Sequence, residues 1–187
     1  MKLQGKKYQT HKLKVSEVLF LLLLTFFMLS SCNKDDDNCQ GIDCLPPATQ
    51  TGAGTFGCLV NGVPYVDNSG FFNCFYQLVD GEYYFSISAE FNRPIKGIGL
   101  GSQKIELSQA NNYLLKEVGN GNFSADIFID TSNNFETSSN NPGNIILTKF
   151  DIQNNIFSAI FEFTVTDPEN GIVYEITEGR FDTYFTQ

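Results

Sequence analysis

The sequence predicts an all-β fold: a single antiparallel β-sandwich or a partly open β-barrel, with about 9–11 strands wired mainly by hairpins. Short runs of alternating apolar and polar residues recur from residue 54 onward, and turn-forming residues separate them. No stretch of this region carries the apolar period of a long helix. Most of the 18 phenylalanines lie here and would supply the core.

The first predicted element is a hairpin. Apolar residues alternate over Phe56–Val60, and Asn61-Gly62 then favours a type I′ turn before Val63–Val66 returns. Pro64 has no N–H to donate to a neighbouring strand, which indicates a strand at the edge of the sheet.

The middle of the domain continues this pattern. A run at 72–78 turns at Asp80-Gly81 into a clear period-2 strand at 83–91. Glycines interrupt the next stretch, which predicts two short strands, around Ile98 and around Ile105. Further strands are predicted at 113–118 and 123–129.

A polar loop at 131–144 precedes the last three strands. The clearest inward-facing row of the chain lies at 157–165, between the strands predicted at 145–152 and 172–185. The sequence Asp167–Gly171 predicts a hairpin turn, and Gly179 predicts a β-bulge in the final strand.

The chain begins with a basic segment followed by an uncharged apolar run from Val18 to Leu29. This is the pattern of a secretory signal, and the run is shorter than the ~20 residues that a membrane-spanning helix needs. Leu29-Ser30-Ser31-Cys32 resembles the lipobox of bacterial lipoproteins. The resemblance implies that residues 1–31 are removed and that Cys32 is lipidated and anchors the chain to a membrane.

Lys34 and the acids Asp35, Asp36 and Asp37 follow Cys32 directly. They resemble the export signal that places Bacteroidota lipoproteins on the outer face of the outer membrane; a solvated acidic linker is the alternative. Residues 32–53 read as the lipidated cysteine, this tag and a flexible tether, and 54–187 as the all-β domain. The segments 54–65 and 158–182 are similar to uncharacterised Bacteroidota lipoproteins, a family that implies no catalytic residues.

Composition excludes several functions. The net charge of −9 becomes more negative once the lysine-rich signal is removed, which disfavours nucleic-acid binding. His11 is the only histidine and lies in that signal, so the mature chain would lack a Ser-His-Asp or Cys-His system and any His-ligated metal. We expect no cofactor and no enzymatic activity.

The remaining cysteines predict disulfides, because an exported protein meets oxidising surroundings. We favour the pairs Cys39–Cys44 and Cys58–Cys74. Two buried free thiols at Cys58 and Cys74 are the alternative.

Three weaker features bear on chemistry, each set against an ordinary surface or packing role. Outward glutamates could pair for glycoside hydrolysis: Glu82, Glu90, Glu162, Glu175 and Glu178. Alternating oxygen side chains could bind Ca²⁺, although a plain polar loop is favoured: Asp130, Ser132, Asn134 and Glu136. Tyrosines could stack on sugars: Tyr65, Tyr83, Tyr84, Tyr113, Tyr174 and Tyr184.

The sequence therefore predicts a non-enzymatic, surface-exposed lipoprotein that binds a glycan or an envelope protein through loops at one end of the domain. A structural or assembly subunit of the envelope is the first alternative, and a carboxylate-based glycan hydrolase is the second.

Overall fold

One curled β-sheet forms a half-barrel in the computed structural model, which describes residues 39–67, 72–91, 95–129 and 133–187. These residues belong to one compact unit that begins at Cys39. Its eleven strands are β1 (Thr55–Val60), β2 (Val63–Val66), β3 (Asn73–Val79), β4 (Glu82–Glu90), β5 (Gly97–Gln103), β6 (Asn112–Lys116), β7 (Phe123–Phe128), β8 (Asn134–Glu136), β9 (Gly143–Asp151), β10 (Ile156–Thr166) and β11 (Val173–Tyr184).

The strand order is β2-β1-β11-β10-β9-β6-β7-β5-β4-β3, with the short β8 paired to β7. Every pair is antiparallel except β6 with β7, so the sheet is mixed. The all-β prediction is confirmed, and the half-barrel matches the partly open barrel of the two predicted architectures. Hairpins join many neighbours, while longer connections place β6 between β9 and β7 and β11 beside β1.

The concave face of the sheet holds an aromatic core. Inward residues of β10 are buried as their period predicted, and Phe157 packs against Phe85 with ring centroids 4.6 Å apart. Burying such rings removes large apolar areas from water, which is the main driving force for folding this sheet. The fully buried large side chains are Phe56, Phe85, Phe123, Phe157, Ile87, Ile95, Ile98, Leu100, Leu115, Ile127, Ile145 and Leu147.

Turn chemistry follows the sequence closely. Asn61 and Gly62 both have positive φ, 49° and 78°, as a type I′ turn requires, and β2 lies at one end of the strand order. The prediction of two short strands around Ile98 and Ile105 is wrong. This stretch forms the single strand β5, and Ile105 follows that strand. Gly99 leaves room for Asp126, which lies so close that a Cβ at position 99 would clash with its carboxylate.

The two edges of the curled sheet, β3 and β2, are both tied to other parts of the chain by hydrogen bonds. The Tyr76 N–H donates to the Thr186 carbonyl at 2.9 Å, and the Thr186 N–H donates to the Cys74 carbonyl at 3.0 Å. The residues after β11 therefore meet β3. Near the opposite edge, the Glu90 N–H donates to the Asp67 carboxylate at 2.9 Å.

Residues 39–53, which we name the strap, pack on the sheet although the sequence predicted a flexible tether as far as residue 53. The strap holds a 3₁₀ turn at Gly41–Cys44, and its Leu45 is buried. Within the described residues, no helix has the length and apolar character needed to cross a bilayer.

Candidate functional site

Several predicted site residues lie outside the described residues: Cys32, Lys34, Asp35, Asp36, Asp37, Asp130 and Ser132. The lipidation site and the export tag therefore stay predictions. Of the four oxygen side chains predicted to serve Ca²⁺, the structure places Asn134 and Glu136, both on β8.

The cysteines divide into one bridge and two thiols. Cys39 and Cys44 form a disulfide with a Cα–Cα distance of 5.1 Å, as predicted. The predicted Cys58–Cys74 bridge is absent: both are free, buried thiols in the core, Cys58 on β1 and Cys74 on β3, which are not adjacent in the strand order. Burial raises the pKa of Cys58 to about 12 and raises that of Cys74 as well, so neither thiol is a reactive nucleophile at neutral pH.

The strap is held by one carboxylate, that of Asp182 on β11, which is 1% exposed. Backbone N–H groups of Thr51, Gly52 and Ala53 donate to it at 2.9, 2.8 and 3.2 Å. Hydroxyl groups of Thr49 and Ser158 donate at 2.6 and 2.7 Å. Burial by itself would raise the pKa of Asp182, but these hydrogen bonds outweigh it and hold the pKa well below its usual range.

A second outward aspartate, Asp126 on β7, lies directly across from Glu136 on β8. Burial, with a further contribution from the charge of Glu136, raises the pKa of Asp126 to about 6, and a hydrogen bond with Asn134 opposes this shift only in part. The described residues contain no group of three or more His, Cys, Asp or Glu side chains that could hold a metal ion.

Asp126 borders a groove on the convex face of β4, β5 and β7. Small residues at facing positions make its floor. In one row Ser88 opposes Gly99, and Asp126 stands on the other side of Gly99. In the next row, the partners across the three strands are Ser86, Gly101 and Ser124. We name this feature, of about 310 Å³, the serine–glycine groove.

Larger side chains stand around that floor. Phe75 on β3 opposes Ser86, Tyr84 opposes Gln103 at the end of β5, and Phe128 lies against Gly99. All three rings belong to the lining of the groove, together with Asp126 and Gln103. The groove thus offers aromatic surfaces beside hydroxyl, amide and carboxylate groups that can donate or accept hydrogen bonds.

Tyr84 is the one residue of the predicted tyrosine set that lines this groove. Tyr65 is buried, and Tyr83, Tyr113 and Tyr174 pack against the core. Tyr184 is 60% exposed on β11. Sequence reasoning missed the groove itself. Its signal was glycine at every second position from Gly97 to Gly101 together with Ser86 and Ser88 on β4, because small side chains on one face of neighbouring strands leave a hollow there.

A second groove, of about 390 Å³, lies on the convex face of β9, β10 and β11. We name it the bulge groove, because a one-residue shift in the pairing of β10 with β11 lies opposite Glu162. The predicted bulge near Gly179 is therefore confirmed. Three of the predicted outward glutamates come together around this point: Glu162 and Glu178 line the bulge groove, and Glu162 and Glu175 line the hollow next to it. Glu82 and Glu90 lie on β4.

Comparisons with protein-family models, with curated proteins and with solved structures found no match for this chain.

Proposed function

We propose that this protein is a lipid-anchored, surface-exposed module that binds carbohydrate in the serine–glycine groove without acting on it chemically. The observation that carries this proposal is the block of serine and glycine residues on three neighbouring strands, walled by Phe75, Tyr84 and Phe128. A pyranose ring has an apolar face of C–H groups and a rim of hydroxyl groups. An aromatic wall beside short polar side chains complements both.

The groove also has the dimensions and position of a binding site. A volume of about 310 Å³ is at the lower end of the range of ligand sites, which run from roughly 300 to 1,000 Å³. It lies on regular strands whose registers fix each side chain, which favours a preformed site. The proposed binding site lies on the face of the sheet and not, as the sequence predicted, in the loops at one end.

Glycan-array binding of the mature protein tests this proposal, with Tyr84→Ala as the groove variant and Tyr184→Ala as its control. Removing the Tyr84 ring deletes the stacking surface, and we expect binding to weaken about tenfold, which corresponds to ~1.4 kcal/mol. Tyr184 is exposed on β11, away from this groove, and its loss should leave binding unchanged.

A steric variant separates loss of stacking from loss of the fold. Ser88 points outward, so Ser88→Leu fills the hollow without entering the core, and it should abolish glycan binding at an unchanged melting temperature. Wild-type affinity in both Tyr84→Ala and Ser88→Leu would disprove the site. A protein that binds no glycan at all would favour an envelope assembly subunit.

A hydrolase would act differently from a binding module on the glycans that the protein binds. A binding module leaves every bound sugar intact, whereas a carboxylate-based hydrolase releases products and loses that release in a Glu162→Gln variant. Sugar release that depends on Glu162 would replace the binding proposal with the enzymatic one.

The membrane address rests on the lipobox and the acidic tag, and it is tested by Cys32→Ser. We expect this variant to accumulate either unprocessed or detached from the membrane, because the thiol that carries the lipid is gone. Fractionation with mass spectrometry of the N-terminus measures the outcome. A variant that is processed and lipidated normally would refute the anchor.

A further inference from the structure

The bulge in β11 gives the bulge groove an unusual wall. Glu178 has a φ of 54°, in the left-handed region that non-glycine residues rarely adopt. Gly179 follows it and lies so close to the Phe161 ring that a Cβ would clash. Such bulges occur frequently beside functional sites, where they redirect a side chain. Here the bulge places Glu178 on the wall of the groove.

The floor of this groove is aliphatic. Ile146 on β9 opposes Ile160 on β10, and both side chains point outward from the sheet. Ile160 is 39% exposed although it lies on a central strand of the sheet. Ala48 of the strap adds a further apolar contact at the side. A ligand lying here would cover apolar surface that is otherwise in water.

The polar end of the groove is rich in hydrogen-bond acceptors. Arg180 does not offer a free cation, because it binds Glu178 at 3.4 Å and its Nε donates to the Glu178 carbonyl at 3.1 Å. The charge of Glu162 has no cationic partner among the described residues, and Asn144 opposes it on β9. The side-chain oxygen of Asn144 is buried and accepts no hydrogen bond within the described part of the chain.

We infer that the bulge groove binds an alkylammonium group, the lysine side chain of a protein partner. The four methylene groups of lysine would lie along Ile146 and Ile160, and the ammonium would donate to Glu162. It would also donate to the Asn144 oxygen once the amide of Asn144 has turned that oxygen toward the groove. The negative charge of the whole chain would speed the approach of a basic partner. This site is separate from the serine–glycine groove and does not depend on the proposed carbohydrate binding.

The choice of a cation follows from what the groove lacks. An anionic ligand would meet an unpaired Glu162 and an arginine that already has its partner. A neutral apolar ligand would leave the Asn144 oxygen without a donor. A primary amine on an aliphatic chain satisfies the charge, the acceptor and the floor together.

Titration of the mature protein with Nα-acetyl-lysine methylamide, followed by NMR of isoleucine methyl groups, tests the proposal. We expect shifts at Ile146 and Ile160 that saturate, and an affinity that falls when salt is added. The norleucine counterpart of this probe has the same carbon chain without the ammonium, and it should bind at least about tenfold more weakly. Equal binding of the two probes would overturn the proposal whatever the behaviour of any variant.

A pair of charge variants locates the site. Glu162→Gln keeps the shape of the side chain and removes its charge, and we expect about a tenfold loss of affinity for the lysine probe. Glu90→Gln removes an equivalent outward charge from β4 and should leave the affinity unchanged. Wild-type affinity in Glu162→Gln, or an equal loss in both variants, would overturn the assignment to the bulge groove.

Discussion

Asp182 and Asp126 are two outward aspartates of the same sheet, and their surroundings shift their pKa values in opposite directions. Asp182 lies under the strap and accepts hydrogen bonds from the strap backbone and from Ser158. Asp126 lies across from Glu136, over a floor of glycine, at the border of the serine–glycine groove. Hydrogen bonding lowers the pKa of the first against the effect of burial, while burial raises the pKa of the second to about 6.

The difference lies in the number of donors that the fold supplies. Around Asp182, three backbone N–H groups and two threonine hydroxyls of the strap converge with the hydroxyl of Ser158. Asp126 has a side-chain hydrogen bond from Asn134 and the repulsion of a second carboxylate. A buried carboxylate with many donors is stabilised in its charged form, whereas one with few donors is destabilised.

The two aspartates differ in the donors that the protein supplies to them. Hydrogen bonds from within the protein satisfy the Asp182 carboxylate, and those from the strap backbone also hold the strap on the sheet. The protein leaves Asp126 under-supplied with donors at the edge of a hollow, where the hydroxyl groups of a ligand could supply them. The contrast therefore supports the placement of the binding site at the serine–glycine groove and not beneath the strap.

The largest effect is expected from Asp182→Ala. The buried donors that the carboxylate receives would lose their acceptor, and we expect the free energy of unfolding to fall by about 3 kcal/mol or more. Because the pKa of Asp182 is lowered in the fold, its stabilisation is present above the unfolded-state pKa of about 3.9 and is lost as the pH falls below that value. Urea denaturation and limited proteolysis of the strap measure these effects.

Asp151→Ala is the matched control, because Asp151 accepts backbone hydrogen bonds from its own exposed turn at Gln153 and Asn154. Its loss should leave the strap protected from protease. Equal strap cleavage in the two variants, or a strap that stays protected in Asp182→Ala, would show that Asp182 does not hold it.

Features that depend on neighbouring residues could be predicted from the sequence, whereas contacts between distant residues could not. Alternation and turn residues predicted the strands, the Asn61-Gly62 turn, the edge position of β2 and the bulge near Gly179, because each depends on neighbours in the chain. The fixing of the strap was not predictable in this way. Gly52 meets Asp182 across 130 positions of sequence, and no local pattern reports such a contact.

The candidate sites show the same division. The outward glutamates were predicted from strand period alone, but which of them meet depends on strand order, and that order brought together Glu162, Glu175 and Glu178. The Cys58–Cys74 bridge was wrong for a related reason. An even cysteine count indicates a bridge only if the fold brings the two thiols together, and here each thiol is instead packed as part of the core.

Replacing Asp126 is expected to change the free energy of unfolding less than Asp182→Ala does, and in the opposite direction. Its pKa is raised to about 6, so the folded state binds the proton more tightly than the unfolded chain, whose aspartate pKa is about 3.9. The cost of charging this group is therefore absent below about pH 4, grows as the pH rises through about 6 and is complete above it. Asp126→Asn should stabilise the protein by about 1–2 kcal/mol at pH 7.5 and by nothing at pH 4.

Denaturation of Asp126→Asn and of the wild type across this pH range measures the difference, with Glu136→Gln as the companion variant. Removing the charge of Glu136 takes away one cause of the raised pKa while burial remains, so Glu136→Gln should stabilise the protein less than Asp126→Asn does. If Asp126→Asn destabilises the protein at pH 7.5, the carboxylate is satisfied as Asp182 is, and the two aspartates do not differ in kind. If it stabilises the protein and also weakens glycan binding, the same uncompensated group serves the ligand at the expense of the fold.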